Sequence, residues 1–172
     1  MIYTKNLTIR RVAASDWKAI QSIWVEVSKT EYSQYDNPKN VPDDAVAGRI
    51  AKWASTASGT EHMFFAVCLD GNLIGYVAFN SRENGYETGY CFHSDYHGKG
   101  YAKESLLALI YAIHNIRPGA VITAGTAIEN IPSIRLLLSL GFHQTGTEKV
   151  SFYKDSEGKP IYFDGGIFEL DA

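Results

Sequence analysis

A glycine-containing segment at residues 93–104 organises the rest of the chain, and it reads His-Ser-Asp-Tyr-His-Gly-Lys-Gly-Tyr-Ala-Lys-Glu. It follows an apolar run at 86–93 that is typical of a strand, and it leads into residues 102–115, where leucine and isoleucine recur at helical spacing. Glycine lets a backbone approach a ligand closely, and the free N–H groups and positive dipole end of a helix favour a phosphate. The segment therefore predicts an anion site between a strand and a helix.

The same residues also suit an ordinary strand-to-helix turn, and on the segment alone that interpretation stays open. The segment is not a P-loop, because no GxxxxGK[ST] pattern is present, and it is not a Rossmann turn, because no third glycine completes a GxGxxG pattern. A functional assignment therefore needs further signals elsewhere in the chain.

Residues before this segment predict a strand, two helices and an antiparallel meander. Alternating apolar and polar side chains are typical of a strand, whereas apolar spacings of three and four are typical of a helix. The polar, proline-bearing residues 29–42 predict a loop, and Asp70-Gly71 is a two-residue hairpin signal. The predicted elements are a strand at 7–12, helices at 16–27 and from residue 43, and strands at 62–69, 73–80 and 86–93.

Residues after the segment complete the prediction of a single α+β domain spanning 1–172. Asn130 is a suitable cap for the helix that follows it. The sequence predicts a central, mostly antiparallel twisted sheet of about six to seven strands with helices on both faces. The predicted elements here are a helix at 102–115, a strand at 121–124, a helix at 132–140 and two strands within 147–170.

Composition and charge exclude several classes of protein. The chain has 172 residues, a formal net charge of −3 and a pI near 5.9, whereas a protein that neutralises nucleic-acid phosphates usually presents a basic face. No window contains the ~18 apolar residues that a spanning helix needs, and residues 1–6 do not begin a signal peptide. We expect no nucleic-acid partner, no membrane association and a cytoplasmic location.

The cysteines and histidines predict neither a metal site nor a covalent intermediate. Cys68 and Cys91 each lie in an apolar stretch and are interpreted as small buried hydrophobic residues. His93 and His97 are four positions apart but fall on a strand end and a loop, so we expect no shared metal. No obvious base accompanies Cys91, and direct acyl transfer needs no enzyme nucleophile.

Two motifs together resemble a known family. His97, Gly100 and Ala102 are similar to motif A of the GNAT superfamily of acyl-CoA N-acyltransferases, whose usual form is [Gln/Arg]-x-x-Gly-x-[Gly/Ala]. Asn130 and Ser133, followed by Leu-Gly-Phe at 140–142, resemble the N-x-x-S…L-G-F signature of the RimJ/RimL-like branch, which acetylates the N-termini of ribosomal proteins. The predicted order of elements also agrees with this family across nearly the whole chain.

The resemblance implies acetyl-CoA as cosubstrate and assigns residues to it. Backbone groups of Phe92 and Ser94 are expected to contact the pantetheine arm, and Asn130 is expected near the thiol end, although a helix cap explains Asn130 as well. His97 departs from the usual Gln or Arg, which affects affinity and its pH dependence. The residues expected to hold the pyrophosphate are His97, Gly98, Lys99, Gly100, Tyr101 and Ala102.

Transfer of an acetyl group to an amine requires a base for the amine and an acid for the departing thiolate. Many relatives use a tyrosine as the acid, but Leu137 occupies that position here. The resemblance therefore points to Ser133 as the acid and to Glu87, on the strand before the loop, as the base; a solvated Glu87 and a structural Ser133 remain the alternatives. Glu31 and Glu148 are weaker candidates for the base.

The acceptor is expected to be a primary amine, either a protein N-terminal α-amine or a small amine. Tyr32, Tyr35 and Asp36 suit the wall of an acceptor groove, although an exposed polar loop accounts for them too. The resulting hypothesis is a monomeric or homodimeric N-acetyltransferase that works by direct attack. A catalytically silent acyl-CoA-binding module and a nucleotide-binding regulatory domain are the alternatives.

Overall fold

One eight-stranded sheet forms the centre of the computed structural model, which describes residues 1–171. The spatial order of the strands is β1-β2-β3-β4-β5-β6-β8-β7, and β5 and β6 are the parallel pair in an otherwise antiparallel sheet. The strands are β1 Ile2–Tyr3, β2 Leu7–Arg11, β3 His62–Leu69, β4 Asn72–Arg82, β5 Gly85–Phe92, β6 Val121–Ala127, β7 His143–Lys154 and β8 Pro160–Leu170.

The α+β class predicted from the sequence is confirmed, with one strand more than expected. The additional strand is β1, which has two residues and is therefore too short to show an alternating pattern. Part of the predicted loop at 29–42 forms a short 3-10 turn, Glu31–Tyr35. The helices are α1 Trp17–Val27, α2 Asp43–Ser55, α3 Tyr101–Ile116 and α4 Ile131–Ser139.

Helices cover both faces of the sheet, which explains the continuous apolar run in β3. Phe65 and Val67 pack in the cluster that contains α3 and α4. Ala66 and Cys68 point the other way and pack in the cluster that contains α1 and α2. Because successive side chains of a strand face opposite sides, a strand buried on both faces loses its polar positions.

The β3–β4 turn has the backbone geometry that its sequence predicts. Asp70 has φ of 49° and Gly71 has φ of 82°. A type I′ hairpin turn requires positive φ at both central residues, and Asp-Gly is a preferred pair for it. The turn is the start of the antiparallel meander that leads through β4 to β5.

The parallel strands β5 and β6 separate after a short paired region. Their register ends with Glu87 opposite Thr123, although β5 continues to Phe92. The paired region depends on Gly85, because a Cβ there would overlap the Val121 carbonyl. We call the wedge between the separated ends the β5–β6 cleft.

The backbone of β5 directs hydrogen-bonding groups into this cleft. The His93 N–H donates to the Ile74 carbonyl at 2.9 Å, and Phe92 lies opposite Gly75 on β4. Because alternate residues of an antiparallel strand direct their backbone groups to opposite neighbours, Phe92 and every second residue before it point away from β4. The β5 edge from Thr88 to Phe92 therefore faces the cleft, and within residues 1–171 it pairs with no other strand.

None of the helices in the described part of the chain is long and apolar enough to cross a membrane.

Candidate active site

The start of α3 forms an open loop with free backbone amides. Gly98 has φ of 70° and Gly100 has φ of 84°, both in the left-handed region that glycine adopts without strain. A Cβ added at either glycine would have no heavy atom within 4 Å, so the space above the loop is open. In the described structure no side chain caps the first turn of α3. Its N–H groups and dipole are thus available to an anion.

Side chains of the loop hold it against the end of β5. The Nε2 atom of His97 lies 2.8 Å from the Phe92 carbonyl oxygen, so it donates to that oxygen as an N–H group. The Lys99 ammonium donates to the Asp95 carbonyl at 2.8 Å. His97 therefore touches the residue that the sequence predicts as a pantetheine contact, and it links the loop to the cleft.

An acidic residue in the first turn of α3 ties the N-terminal segment to this loop. The Glu104 carboxylate accepts hydrogen bonds from the Thr4 hydroxyl at 2.6 Å, the Asn6 N–H at 2.7 Å and the Asn6 side-chain amide at 2.8 Å. Burial opposes its charged form, but these bonds outweigh burial and lower the pKa of Glu104. A negative charge in the first turn also stabilises the helix.

Two hydroxyl groups meet at the side of the β5–β6 cleft that faces α4. The Tyr90 Oη atom lies 2.8 Å from Ser133 Oγ. Burial raises the pKa of Tyr90, and the bond with Ser133 only partly offsets this. Tyr90 therefore keeps its proton at neutral pH and is able to donate it.

Asn130 has the structural role that the sequence predicts for a cap. Its side-chain oxygen accepts from the Ser133 N–H at 3.3 Å, at the N-terminus of α4. This bond fixes the first turn of α4, so Asn130 also sets the position of the Ser133 hydroxyl beside Tyr90.

Glu87 has surroundings that differ from those expected for a base. Its carboxylate forms an ion pair with Arg82, and 46% of the side chain is exposed. Glu87 is the last residue of β5 that pairs with β6. Because successive side chains of a strand face opposite sides, Glu87 lies on the opposite face of β5 from Tyr90 and its partner Ser133. The half-exposed, ion-paired side chain has the surroundings of the solvated alternative for Glu87.

An open groove lies between the 3-10 turn at 31–35 and the β7–β8 hairpin, and we call it the hairpin groove. It has a volume of about 670 Å³. Of the early-loop residues, Tyr35 lines it, whereas Tyr32 and Asp36 do not; Glu31 and Glu148 also lie outside its wall. The lining residues are Ser33, Gln34, Tyr35, Glu129, Lys149, Tyr153, Lys154, Ile161, Tyr162, Phe163 and Asp164.

Sequence reasoning missed Glu129 and Tyr90. Glu129 directly precedes Asn130 and lines the hairpin groove. Its position next to the N-x-x-S motif was an available signal. Tyr90 lacked such a signal, because its partner Ser133 is 43 positions away.

The thiols are not set up as nucleophiles. Cys68 is buried and Cys91 is partly buried. Burial, with a smaller effect of the Asp36 charge, raises the pKa of Cys91 to about 11. A nucleophilic cysteine requires the thiolate, so Cys91 is protonated and unreactive at neutral pH.

A strand edge facing a cleft, a glycine loop with free amides and a nearby groove define an acyl-CoA-binding enzyme fold. The family model that matches the chain is described as the acetyltransferase (GNAT) domain, and it covers residues 6–143. The chain belongs to the GNAT acetyltransferase family, and it is an N-acetyltransferase that uses acetyl-CoA. The family predicted from the sequence is thus confirmed, and an enzyme is favoured over the silent module and the regulatory domain.

Relatives and solved structures agree with this assignment. The chain is 30% identical to the uncharacterized N-acetyltransferase YnaD of Bacillus subtilis (strain 168), over 94% of each chain. It is 25% identical to yncA, a putative acetyltransferase from Salmonella typhimurium solved with acetyl-CoA, with a TM-score of 0.72 and coverage of 97% of this chain and 94% of that one.

Ribosomal-protein acetyltransferases are also among the structural neighbours. The ribosomal-protein-S5-alanine acetyltransferase of Vibrio fischeri has a TM-score of 0.82 at 17% identity, with coverage of 99% of this chain and 95% of that one. At this level of identity, the likeness concerns the fold.

Proposed function

We propose that the protein acetylates a primary amine by direct attack, and that the amine enters through the hairpin groove. The observation that carries this proposal is the β5 edge from Thr88 to Phe92, which faces the cleft and leads to the free amides at the start of α3. The hairpin groove is lined by Glu129, the residue directly before the motif residue Asn130. Acetyl-CoA supplies the thioester.

The residues of the cleft and loop fit the cosubstrate. Backbone groups of Phe92 and Ser94 would hold the pantetheine arm, because the exposed edge of β5 offers it the partners of a missing strand. The pyrophosphate would lie over the open space at the loop, where the dipole of α3 and free N–H groups favour it. The residues proposed to hold it are His97, Gly98, Lys99, Gly100, Tyr101 and Ala102.

Ser133 is proposed as the group next to the leaving sulfur, with Tyr90 as the source of its proton. The two hydroxyl oxygens are 2.8 Å apart. When Ser133 gives its proton to the leaving sulfur, the Tyr90 hydroxyl donates a proton to Ser133 in its place. Because the pKa of Tyr90 is raised, the pair holds its proton throughout the neutral range. Asn130 fixes Ser133 in position through its bond to the Ser133 N–H.

Two carboxylates compete for the role of base. Glu87 is the residue proposed from the sequence, but its carboxylate is held in an ion pair with Arg82. Glu129 lies in the hairpin groove and forms no ion pair within the described residues. We therefore place the incoming ammonium at Glu129. A water molecule at either carboxylate then accepts the proton that the ammonium loses.

Turnover tests the proposal directly. Free CoA thiol is measured after acetyl-CoA is mixed with peptides of different N-termini or with small amines. Acceptor-dependent release of CoA, without acetyl label on the protein after gel filtration, is the expected result. Label that stays on the protein and disappears in Cys91→Ala would contradict direct attack.

A further inference from the structure

Glu104 is an acidic residue in the first turn of α3, the helix that begins at the proposed pyrophosphate site. Its backbone N–H donates to the Gly100 carbonyl at 2.9 Å, which is the first hydrogen bond of the helix. A carboxylate at this end stabilises the helix, but it competes with a phosphate for the positive end of the dipole. Attraction to the cosubstrate therefore does not explain why Glu104 is acidic.

The hydrogen bonds of the Glu104 carboxylate come from the turn between β1 and β2, residues 4–6. The Thr4 hydroxyl and the Asn6 N–H donate to Oε1 at 2.6 and 2.7 Å, and the Asn6 side-chain amide donates to Oε2 at 2.8 Å. Only a carboxylate accepts from several donors in this way without presenting a donor of its own. Within residues 1–171 Glu104 forms no ion pair, so its charge is held by uncharged donors.

The β1–β2 turn is itself fixed to the sheet. The Leu7 N–H donates to the Thr4 hydroxyl at 3.0 Å, and the Thr4 N–H donates to the Leu7 carbonyl at 2.9 Å. Leu7 is buried in the core and pairs with Leu69 on β3. The turn therefore gives α3 a fixed point of attachment 98 positions away in the chain, counted from Asn6 to Glu104.

The loop before α3 depends on such attachments because it has little packing of its own. Gly98 and Gly100 have positive φ, and an added Cβ at either would meet no heavy atom within 4 Å. Glycine permits many backbone conformations, so a glycine loop keeps one geometry only when its ends are held. His97 holds the β5 end through the Phe92 carbonyl, and Glu104 holds the helix end.

These contacts assign a role to Glu104, in an inference that rests on the proposed function. We propose that Glu104 is a positioning residue for acetyl-CoA. It anchors the first turn of α3 to the β1–β2 turn and so keeps the loop amides in the arrangement that binds the pyrophosphate. A site that is ordered before the ligand arrives binds more tightly than one that the ligand has to order.

The charge of Glu104 alone predicts the opposite effect. A carboxylate without a cation partner repels a pyrophosphate bound at the same end of the helix, so its removal would tighten binding if charge were the main influence. Loss of positioning weakens binding instead. The sign of the change in acetyl-CoA affinity therefore distinguishes the two influences.

Two substitutions at Glu104 measure this sign. The Kd for acetyl-CoA is determined by titration calorimetry for the parent, Glu104→Met and Glu104→Gln, whose new side chains have helix propensities close to that of Glu. Glu104→Met removes the three hydrogen bonds and is expected to raise Kd about tenfold. Glu104→Gln keeps one acceptor oxygen and is expected to lie between the other two. A Kd in Glu104→Met that is unchanged or lower would overturn the inference.

Thr4→Val removes one of the bonds from the other side and leaves the charge of Glu104 in place. It is expected to raise Kd about twofold to fivefold, and to add little when combined with Glu104→Met, because both act through the same contact. Thr4→Val also decides the matter if Glu104→Met does not fold. A parental Kd in Thr4→Val, or additive effects in the double variant, would overturn the inference.

Asp16→Asn is the control for a general loss of stability. Asp16 is likewise a carboxylate held by several hydrogen bonds, but its partner Arg10 alternates along β2 with Ile9, which packs in the α3 cluster. The pair therefore lies on the other face of the sheet. Asp16→Asn is expected to lower stability and to leave the Kd for acetyl-CoA unchanged. An equal rise in Kd for Asp16→Asn and Glu104→Met would overturn the positioning role.

Gly100→Val separates this inference from the binding mode on which it rests. A raised Kd in Gly100→Val together with a parental Kd in Glu104→Met would overturn the role of Glu104 and leave the loop as the pyrophosphate site. A parental Kd in Gly100→Val would overturn both. A raised Kd in Gly100→Val, Glu104→Met and Thr4→Val, but not in Asp16→Asn, is the expected result.

Discussion

Tyr90 and Ser133 are 43 positions apart in the chain, yet their hydroxyl oxygens lie 2.8 Å apart beside the cleft. The tyrosine usual in this family on the last helix is replaced by Leu137, which is buried in the core. The phenol that we propose as the proton source therefore comes from β5 and meets α4 at its first turn.

Tyr90→Phe is expected to lower kcat about tenfold to a hundredfold, because general acids typically contribute 10²–10⁴ and Ser133 remains in place. The KM for acetyl-CoA should change little, since the ring and the cleft are retained. Ser133→Ala and the double variant complete the test. If the two hydroxyls act as one relay, the double variant loses no more activity than the worse single variant. Additive losses would show that they act separately.

A second pair of variants distinguishes the roles of Glu129 and Glu87. Glu129→Gln is expected to raise the KM for the amine about tenfold, because a charge-assisted contact to the ammonium is lost. Glu87→Gln keeps its shape and releases Arg82, and a small effect on turnover is expected. Both are measured as kcat and KM for the amine across pH. A larger loss in Glu87→Gln, recovered as the pH approaches the pKa of the amine, would assign the base to Glu87.

At the scale of elements, local signals predicted the turns well. Asp70-Gly71 predicted the positive φ values of the β3–β4 turn, and the glycines of the loop predicted the start of α3 within one residue. Such geometry depends on neighbours in the chain, which a sequence displays directly. The Tyr90–Ser133 pair depends on how β5 and α4 come together, so the sequence alone did not predict it. The Glu87–Arg82 ion pair is local, across the β4–β5 turn, but the sequence analysis did not consider Arg82 as a partner.

The loop at the start of α3 has a matched control at the other end of the same helix. Gly100 and Gly119 have φ of 84° and 77°, and neither has a heavy atom within 4 Å of an added Cβ. Valine at either site therefore has a similar backbone cost, but only Gly100 lies at the proposed phosphate site. Gly100→Val is expected to abolish most of the thermal stabilisation by acetyl-CoA, which is ~2.7 kcal/mol at 100 times Kd. Gly119→Val should retain it, and equal ligand shifts in both variants would remove the loop from the binding site.

At the scale of the whole molecule, the sheet has two parts. Side chains of β3, β4 and β5 pack in both core clusters, whereas the groove is lined by the β7–β8 hairpin and by Glu129, which follows β6. The two parts join at the short parallel pairing of β5 with β6. The cleft is thus a consequence of a sheet that is continuous at one end and open at the other.

Asp16, in the turn just before α1, makes the stability of the fold depend on pH. The Asp16 carboxylate accepts from both guanidinium nitrogens of Arg10, at 2.7 and 2.8 Å, and from the Ala13 N–H at 2.8 Å. Burial opposes its charged form, but the bonds to Arg10 and Ala13 outweigh burial and lower the pKa of Asp16. Because the folded-state pKa lies below the unfolded one, the stabilisation is complete above the unfolded pKa and disappears as pH falls through the folded pKa.

Asp16→Asn is therefore expected to lower the free energy of unfolding at pH 7 by about 2 kcal/mol, since charge-assisted bonds to a partly exposed arginine are lost. The difference from the parent protein should shrink as the pH falls below about 4, where the carboxylate of the unfolded chain takes up its proton. Urea unfolding at pH 7, 5 and 3 measures it. Glu83→Gln is the control, because Glu83 is exposed and its side chain forms no hydrogen bond within residues 1–171. A loss in Asp16→Asn that stayed constant from pH 7 to pH 3 would mean that packing, rather than the charge of Asp16, supplies the stabilisation.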